Sequence, residues 1–381
     1  MKKVYGIYFN AAFLAAIDIR LTDHYNEHIK REDFLHFFYL IETSKENYVE
    51  LPSNVRTKFG KYTKDNKRHW RFKEIVAICE KNDIIVSTSY STDHKYCKSY
   101  GYTVDFVNSI FDLEVNFQFC EISEKLYHII FNMFKANKAN KVPSDKMLKQ
   151  HYNLMLDIEI DLDKAIEYTK TLDQSKFLRV VRQIINMYFK QGLFVVQDNK
   201  TGRIFSSFNM MKKELREFCT IEGTQLDSVD LTSSQPYFLS SILMKEHPNN
   251  KEVKRFYELI INNDLYEWVI DKLKLNITRK EAKVMFFSYL YKKNNGTNEV
   301  QQIMMKEFNE VYELIKIKKR SEELWQTLQT VEADIFVSTA NEMKCLSVHD
   351  SVYFRQTDRR QVLECIDNKL QQTGFSNYKL T

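Results

Sequence analysis

Two aspartates and one evenly spaced run of cations and aromatics carry most of the chemistry this 381-residue chain can offer. The stretch CLSVHDSVYF (345–354) puts a His349-Asp350 pair between two short runs that alternate small or polar with large residues. An ionisable pair at such a junction is either a solvent-facing turn or half of an acidic site. In QLDSVDLTSSQPYFLSSIL, Leu226, Ser228 and Asp230 alternate with Asp227, Val229 and Leu231 as in a strand. The pattern then turns helical, with Pro236 in the first turn. Asp230 therefore falls where a strand ends and a helix begins, a place suited to holding a metal; a plain helix cap is the alternative. In NITRKEAKVMFFSYLYKKNNG, Arg279, Lys283, Phe287 and Tyr291 recur every fourth residue and share one helical stripe. Two cations one turn apart repel unless something anionic lies between them. A triphosphate would serve, and the two aromatics could hold a sugar and a base. The same spacing equally describes an amphipathic helix with aromatics in the core. A further helical run, LQTVEADIFVSTANEM, has Leu328, Val331, Ile335 and Phe336 on its apolar side and Gln329 and Asp334 as polar marks.

The elements that must position these residues are those of an ordinary soluble chain. Hydrophobic residues make up 44% and charged residues 28%, and eight Gly with four Pro argue against a β-sandwich or a disordered chain. A net charge of +5 permits an anionic partner without establishing one. The six Cys form no CxxC pair and no Cys/His spacing suited to structural zinc, so they read as free thiols in a reducing compartment. The opening VYGIYFNAAFLAAIDI is interrupted by Asn10 and Asp18 and has no clear small-residue cleavage site, so no leader is expected. No apolar run reaches the length of a membrane span. Phe72, Ile75, Val76 and Cys79 follow helical spacing; NDIIVSTSYS and KSYGYTV then read as a two-stranded ribbon. That order resembles a winged helix, with Lys95, Tyr96, Lys98 and Tyr100 placed against a phosphate backbone; a plain α/β unit with a solvated Lys-rich turn is the alternative. The polar stretch KANKANKVPSDK (135–146) is the linker candidate. Helical patterns follow from 147 to about 192, closed by Gly192, and LFVVQD and NKTGRIFSSF read as strand, turn, strand.

Taken together and in order, the C-terminal segments resemble the family A polymerases, the group of bacterial repair and phage replicative DNA polymerases and single-subunit phage-type RNA polymerases. Asp230 in VDLTSSQ matches their first palm motif. RKEAKVMFFSYLY matches the fingers pattern Arg-x3-Lys-x3-Phe/Tyr-x3-Tyr through Arg279, Lys283, Phe287 and Tyr291. QTVEAD matches Gln-x3-Ala-Asp through Gln329, Ala333 and Asp334, and VHDS matches the His-Asp of the last palm hairpin. NDLYEWV (263–269) and TGRIFSSF (201–208) resemble the segments before the fingers helix and before the first palm motif. The likeness covers about 200–360.

The resemblance implies an α+β right-hand polymerase with an antiparallel-sheet palm, helical fingers and thumb, and a small N-terminal α/β module that is winged-helix-like. Residues 1–134 would be an accessory nucleic-acid-binding module, 135–146 a linker and 147–381 the polymerase core. Within the core, the thumb would span about 147–195, the palm about 196–245 and 325–381, and the fingers about 246–324. In-line attack of a 3′-hydroxyl on an α-phosphate is served by two Mg²⁺ ions roughly 3.5–4 Å apart, with Mn²⁺ as the alternative. Asp230, Asp350 and the carbonyl of Leu231 would be their ligands. Arg279 would hold the outer phosphates and Lys283 would protonate the leaving group. Phe287 would pack on the incoming sugar and base, and Tyr291 would stack near the templating base. Gln235 stands where DNA polymerases place a Glu that excludes the 2′-hydroxyl. His349 would meet the primer end, Gln329 the minor-groove edge of the terminal pair, and Arg203 a template or primer phosphate. Ser351 follows Asp350 as in the RNA polymerases, where DNA polymerases carry Glu. Phe287 and the Gln-x3-Ala-Asp helix favour the DNA branch. The usual Arg and Asn upstream of Gln329 are replaced by Ser321 and Trp325.

The expected function is a DNA-dependent DNA polymerase of phage or mobile-element type. It would lack proofreading, act with low to moderate processivity in bacterial or infected-host cytoplasm, and take primer/template DNA and dNTPs as partners. A primase or RNA polymerase of the same fold, using rNTPs, is the first alternative. A non-catalytic replication-initiation or DNA-binding protein with a relic fold is the second.

Overall fold

The first strand, β1 (Gly6–Asn10), leads straight into helix α1 (Ala11–Leu21) because Asn10 caps it: its Oδ1 accepts from the N–H of Ala12 at 2.8 Å and of Phe13 at 3.2 Å. The computed structural model describes residues 5–43, 49–51, 53–64, 66–88, 98–132, 142–262, 264–292, 299–321 and 323–381. The chain mixes helix and strand, with helix predominant and several small sheets. It divides into two compact units, Met1–Val196 with Ser206–Gln225, and Gln197–Phe205 with Leu226–Thr381. The division does not fall at 135–146, and of that stretch residues 135–141 lie outside the described residues.

In the first unit, α2 (Arg31–Glu42) is apolar on nearly every side and is accordingly buried, from Phe34 through Glu42. After it come β2 (Val49–Glu50), the short helix α3 (Ser53–Arg56), the hairpin β3 (Lys61–Lys64) and β4 (Lys67–Trp70), and α4 (Arg71–Lys81). Helix α4 buries Phe72, Ile75, Val76 and Cys79, the four residues whose spacing predicts it. Then β5 (Ile85–Ser87) and β6 (Ser99–Tyr102) form an antiparallel sheet with β2, in the order β2-β6-β5. Lys95 and Tyr96, expected on this ribbon, lie outside the described residues. Helix α5 (Val104–Phe111) precedes β7 (Phe117–Glu121), which pairs antiparallel with β1. Helices α6 (Glu124–Asn132) and α7 (Lys146–Asp157), strand β8 (Ile158–Ile160) and helices α8 (Leu162–Lys170) and α9 (Gln174–Tyr188) follow. The buried Arg182 of α9, 1% exposed, donates from Nε to the Glu42 carboxylate at 2.7 Å and lies over the Phe9 ring at 4.3 Å. This pairing is what lets a guanidinium sit inside an aromatic core.

His36 on α2 supplies a pH test of that core. It is 2% exposed and its ring stacks on Phe59 at 4.3 Å. Burial pushes its imidazole down to about 3, so the folded chain holds it neutral. The unfolded chain takes up that proton near about 6.5. Between these values the unfolded state binds more protons, so stability present above about 6.5 is lost as pH falls toward 3. Urea midpoints of His36→Leu are expected to fall less steeply with acid than those of the wild-type chain; parallel curves would contradict this origin of acid sensitivity.

Short elements complete the first unit's second segment: β9 (Val195–Gln197) and β10 (Ile204–Ser206) mark its junctions with the second unit, and α10 (Ser207–Met210), α11 (Lys213–Arg216) and β11 (Cys219–Ile221) follow. β11 pairs with β8 and with the first residues of β12 (Thr224–Asp230), and β12 runs on into the second unit.

The second unit is a helical layer on a small antiparallel sheet. Its helices are α12 (Ser234–Glu246), α13 (Lys251–Ile261), α14 (Leu265–Leu273), α15 (Arg279–Tyr291), α16 (Glu299–Glu307), α17 (Asn309–Ser321), α18 (Leu324–Glu342) and α19 (Arg359–Gln372). Its strands β13 (Leu346–Val348) and β14 (Ser351–Arg355) form a hairpin, and β14 pairs with β12 from Leu226↔Arg355 to Asp230↔Ser351. Val229, Phe238, Leu239, Phe286, Leu328, Phe336 and Val352 meet in one core. The last residues of the chain run beside the end of β12: the Asp230 N–H donates to Thr381 O and the Thr381 N–H to Asp230 O, both at 2.9 Å.

Candidate active site

The two aspartates come together because β12 ends where the β13–β14 hairpin turns. Val348 and Ser351 face each other, leaving His349 and Asp350 as a two-residue turn, with His349 in the left-handed region at φ 57°. Asp230 is opposite Ser351 in register, and the Leu231 N–H donates to the Asp350 carbonyl at 3.2 Å. The end of β12 that carries Asp230 therefore lies beside the turn that carries Asp350, the paired strands being about 5 Å apart. Past Asp230 the chain reverses through Ser233, which takes left-handed angles (φ 53°, ψ 42°) as the cap residue of α12. Such a conformation costs of order 1 kcal/mol in a non-glycine residue and is held here by the strand before it and the helix after it. The next residue, Ser234, is buried and its hydroxyl donates to Asp350 Oδ2 at 2.6 Å, which orients that carboxylate.

Helix α15 begins at a capping box, Thr278 with Glu281. Its buried side is Ala282, Phe286, Tyr289 and Leu290. Arg279 and Lys283 are exposed, and Phe287 and Tyr291 are partly buried, so the stripe read from the sequence is not the core side of the helix. Lys283 Nζ lies 5.7 Å from the centre of the Phe287 ring, and the Phe287 and Tyr291 rings are 5.8 Å apart. Arg279 differs from expectation: its charge is already met by Glu267 at 2.7 Å, and its guanidinium lies over the Tyr266 ring at 5.1 Å.

A second cluster adjoins the first. The Tyr291 hydroxyl donates to Gln235 Oε1 at 2.8 Å, and the Gln235 amide donates to the Glu332 carboxylate. Arg203 closes the chain with an ion pair to Glu332 at 2.5 Å. Glu332 is 1% exposed at its side chain and Arg203 14%. Burial and then the nearby Asp350 charge push the Glu332 carboxyl up to about 8, against the pull of Arg203 and Gln235. The two clusters are thus electrostatically coupled.

The other expected residues have surroundings the sequence does not show. Arg203, expected at a template or primer phosphate, is paired with Glu332 and mostly enclosed beside it. On α18 the buried carboxylate is Glu332, whereas Asp334 of the Gln-x3-Ala-Asp pattern is exposed. Gln329 is partly buried on the same helix. His349 stands edge-on to Phe205, ring centres 5.8 Å apart. The Ser351 hydroxyl donates to Val348 O at 2.9 Å and so closes the hairpin. Ser234 and Glu332 were not singled out in the sequence. The signal for Glu332 was present: it lies four residues after Leu328 and four before Phe336, on the apolar side of the helix.

No protein-family model matches the chain, and no curated protein matches it. Among solved structures, the POL domain of Pol1 from M. smegmatis, in complex with DNA primer-template and dNTP, aligns with a TM-score of 0.27 and 10% identity. The alignment covers 99% of this chain and 66% of that one, and a likeness at this level carries no argument.

Asp230, Asp350 and the Leu231 carbonyl offer the hard oxygen donors that Mg²⁺ and Mn²⁺ take. Among the described residues no group of three or more His, Cys, Asp or Glu is arranged to hold an ion. Two carboxylates suffice for Mg²⁺, which keeps waters and substrate phosphates as its other ligands, so the donor set fits. No helix of the described residues is long and apolar enough to cross a membrane.

Proposed function

We propose that the second unit is the catalytic part of a template-directed nucleotidyltransferase, with the β12–β13–β14 sheet as a polymerase palm and α15 as its fingers helix. The observation that supports it is the adjacency of a strand-ending aspartate and a hairpin-turn aspartate in the same unit as a helix bearing Arg279, Lys283, Phe287 and Tyr291 off its core side. Divalent cations bound by Asp230, Asp350 and the Leu231 carbonyl would neutralise charge at both ends of an in-line phosphoryl displacement. Ser234 holds the Asp350 carboxylate in one orientation for that task. Lys283, exposed and next to an aromatic face, receives the polyphosphate and donates a proton to the leaving pyrophosphate. Arg279 exchanges its surface partner Glu267 for the outer phosphates; an exposed ion pair is a weak competitor for a polyanion. Phe287 packs on the incoming base and sugar, and Tyr291 is held by Gln235 beside it. His349, in the hairpin turn, faces the primer terminus, with Gln329 further along the minor groove.

DNA synthesis is the reading carried forward, with RNA synthesis second. Gln235 favours neither sugar by charge, because its amide nitrogen is bound to Glu332 and its carbonyl oxygen to Tyr291. Ser351 is used by the hairpin itself, so its identity is explained without reference to the product. A primer-extension assay with Mg²⁺, run with dNTPs or rNTPs and with or without a primer, tests the proposal. Primer-dependent incorporation of dNTPs is expected. Unprimed incorporation of rNTPs would move the assignment to a primase, and no incorporation of either would remove the catalytic reading.

A further inference from the structure

The densest positive charge along the sequence is in the first unit, in residues 58–73, KFGKYTKDNKRHWRFK. These sixteen positions hold seven Lys or Arg and one Asp, a net of +6 against +5 for the whole protein. The segment folds as the β3–β4 hairpin, with pairs Lys61↔Trp70, Tyr62↔His69, Thr63↔Arg68 and Lys64↔Lys67. Lys58, Lys61, Lys64, Lys67, Arg68 and Lys73 are all exposed, and among the described residues none of them makes an ion pair. Lys64 and Lys67 face each other directly, an arrangement that destabilises a ribbon unless an anion lies against it.

The ribbon is anchored at its base. Tyr62 is buried, stacks between His28 at 4.6 Å and His69 at 5.3 Å, and is hydrogen-bonded to Glu74. Arg71, just past β4, donates from Nε to His28 O at 2.7 Å and from Nη1 to Phe59 O at 3.3 Å. Lys61 Nζ rests on the Trp70 ring at 3.7 Å. Beside the base is a groove of about 470 Å³ lined by Arg56, Trp70, Lys73, Glu80, Lys98 and Tyr100, in which Lys98 is paired with Glu80 at 3.7 Å and Arg56 and Lys73 add further positive charge. The base is thus tied to its surroundings, while Lys64, Lys67 and Arg68 stay exposed toward the tip.

We propose that the β3–β4 hairpin is a binding element for duplex DNA, contacting backbone phosphates through Lys61, Lys64, Lys67 and Arg68 with little sequence preference. An antiparallel two-stranded ribbon fits the B-form major groove, about 12 Å wide. An anionic lipid surface is the poorer match, because none of the large exposed apolar side chains lies within residues 58–73. The inference deepens the reading of residues 1–134 as an accessory module and does not depend on the nucleotidyl-transfer site.

The test is anisotropy of a fluorescein-labelled blunt DNA duplex titrated with the full chain, in EDTA and without nucleotides, over a salt series. Replacing Lys61, Lys64, Lys67 and Arg68 together by Ala is expected to shrink the slope of log Kobs against log salt by about 3.6 and to weaken low-salt binding about a hundredfold. Lys61→Arg, Lys64→Arg and Lys67→Arg together should leave both unchanged. Should the fourfold variant fail to fold by circular dichroism, the tip pair Lys64→Gln with Lys67→Gln serves, with an expected slope change of about 1.8. Unchanged slope and affinity in a folded variant would overturn the proposal. So would phosphatidylserine vesicles that bind the chain more tightly than the duplex and lose it with the same substitutions. Because no nucleotide is present, an inactive polymerase site leaves the result untouched.

Discussion

Changing Asp350 to Asn is expected to lower the rate of single-nucleotide incorporation about a hundred- to a thousandfold while leaving the fold intact. Asparagine has nearly the shape of aspartate and can still accept from the Ser234 hydroxyl, so the 2.6 Å contact that orients the side chain persists. The hairpin is set by backbone pairing and by the Ser351 to Val348 bond, neither of which needs the charge. Stability should therefore move by no more than about 0.5 kcal/mol. What is lost is one full negative charge in the hairpin turn, whose backbone carbonyl is bound by the residue after Asp230. Removing one such electrostatic contact from an enclosed site costs about 3–4 kcal/mol of transition-state stabilisation. Asp230→Asn should fail to a similar degree, and the double variant should be little worse than either, since groups acting as a unit are not additive. Single-turnover extension of a labelled primer, with duplex binding measured in parallel, reads the effect on chemistry apart from binding. Undiminished extension by Asp350→Asn would mean that the aspartate pair is not the site.

The strand-to-helix passage at Asp230 and the turn at His349-Asp350 were legible because each is written in local periodicity: alternation that stops, then a helical run, and two short β patterns flanking an ionisable pair. The α15 stripe was legible for the same reason, although only packing could decide that Phe286 and Tyr289 are in the core, that Tyr291 packs against its edge and that Phe287 does not join it. Glu332 was not seen because an isolated Glu in a helix is ordinarily solvated; its burial depends on Gln235 and Arg203, which come from distant segments. The Arg203 ion pair is hidden for the matching reason: nothing near Gly202 in the sequence points to a carboxylate partner 129 residues away. The pairing of the chain's last residues with Asp230 leaves no periodic trace at all. In the N-terminal half, KYTKDNKRHW has only Tyr62, Thr63 and Trp70 to mark strands among its charges, so the basic hairpin leaves a weaker trace than the more apolar ribbon downstream. A polar composition also marks 135–146 as a boundary, whereas the compact units divide elsewhere.

Glu332→Ala is expected to destabilise the chain by about 3 kcal/mol, whereas Glu332→Gln should cost about 1 kcal/mol or less near neutral pH. The asymmetry follows from what the carboxyl holds. Alanine leaves the Arg203 guanidinium enclosed without its partner and the Gln235 amide nitrogen without its acceptor. Glutamine has the shape of a protonated glutamic acid, and a carboxyl pushed up to about 8 is largely protonated at neutral pH. The sign of the pH dependence is then fixed. Unfolded, the carboxyl titrates near about 4.3. Between that value and about 8 the folded chain binds more protons than the unfolded one, so the stability it contributes is complete at the acid end and is lost as pH rises through about 8. Urea unfolding in EDTA, on both sides of that value, should show the wild-type chain losing stability with rising pH relative to Glu332→Gln, whose amide does not titrate. Tyr291 provides a second readout. With Glu332 gone, Gln235 can turn, and the Tyr291 hydroxyl that ties α15 to α12 loses its acceptor. Glu332→Ala should therefore narrow the ratio of kcat/KM for dNTP over rNTP, while Glu332→Gln keeps it. Equal stability in all three proteins, with an unchanged sugar ratio, would show that the buried chain from Arg203 to Tyr291 supports neither the fold nor the choice of substrate.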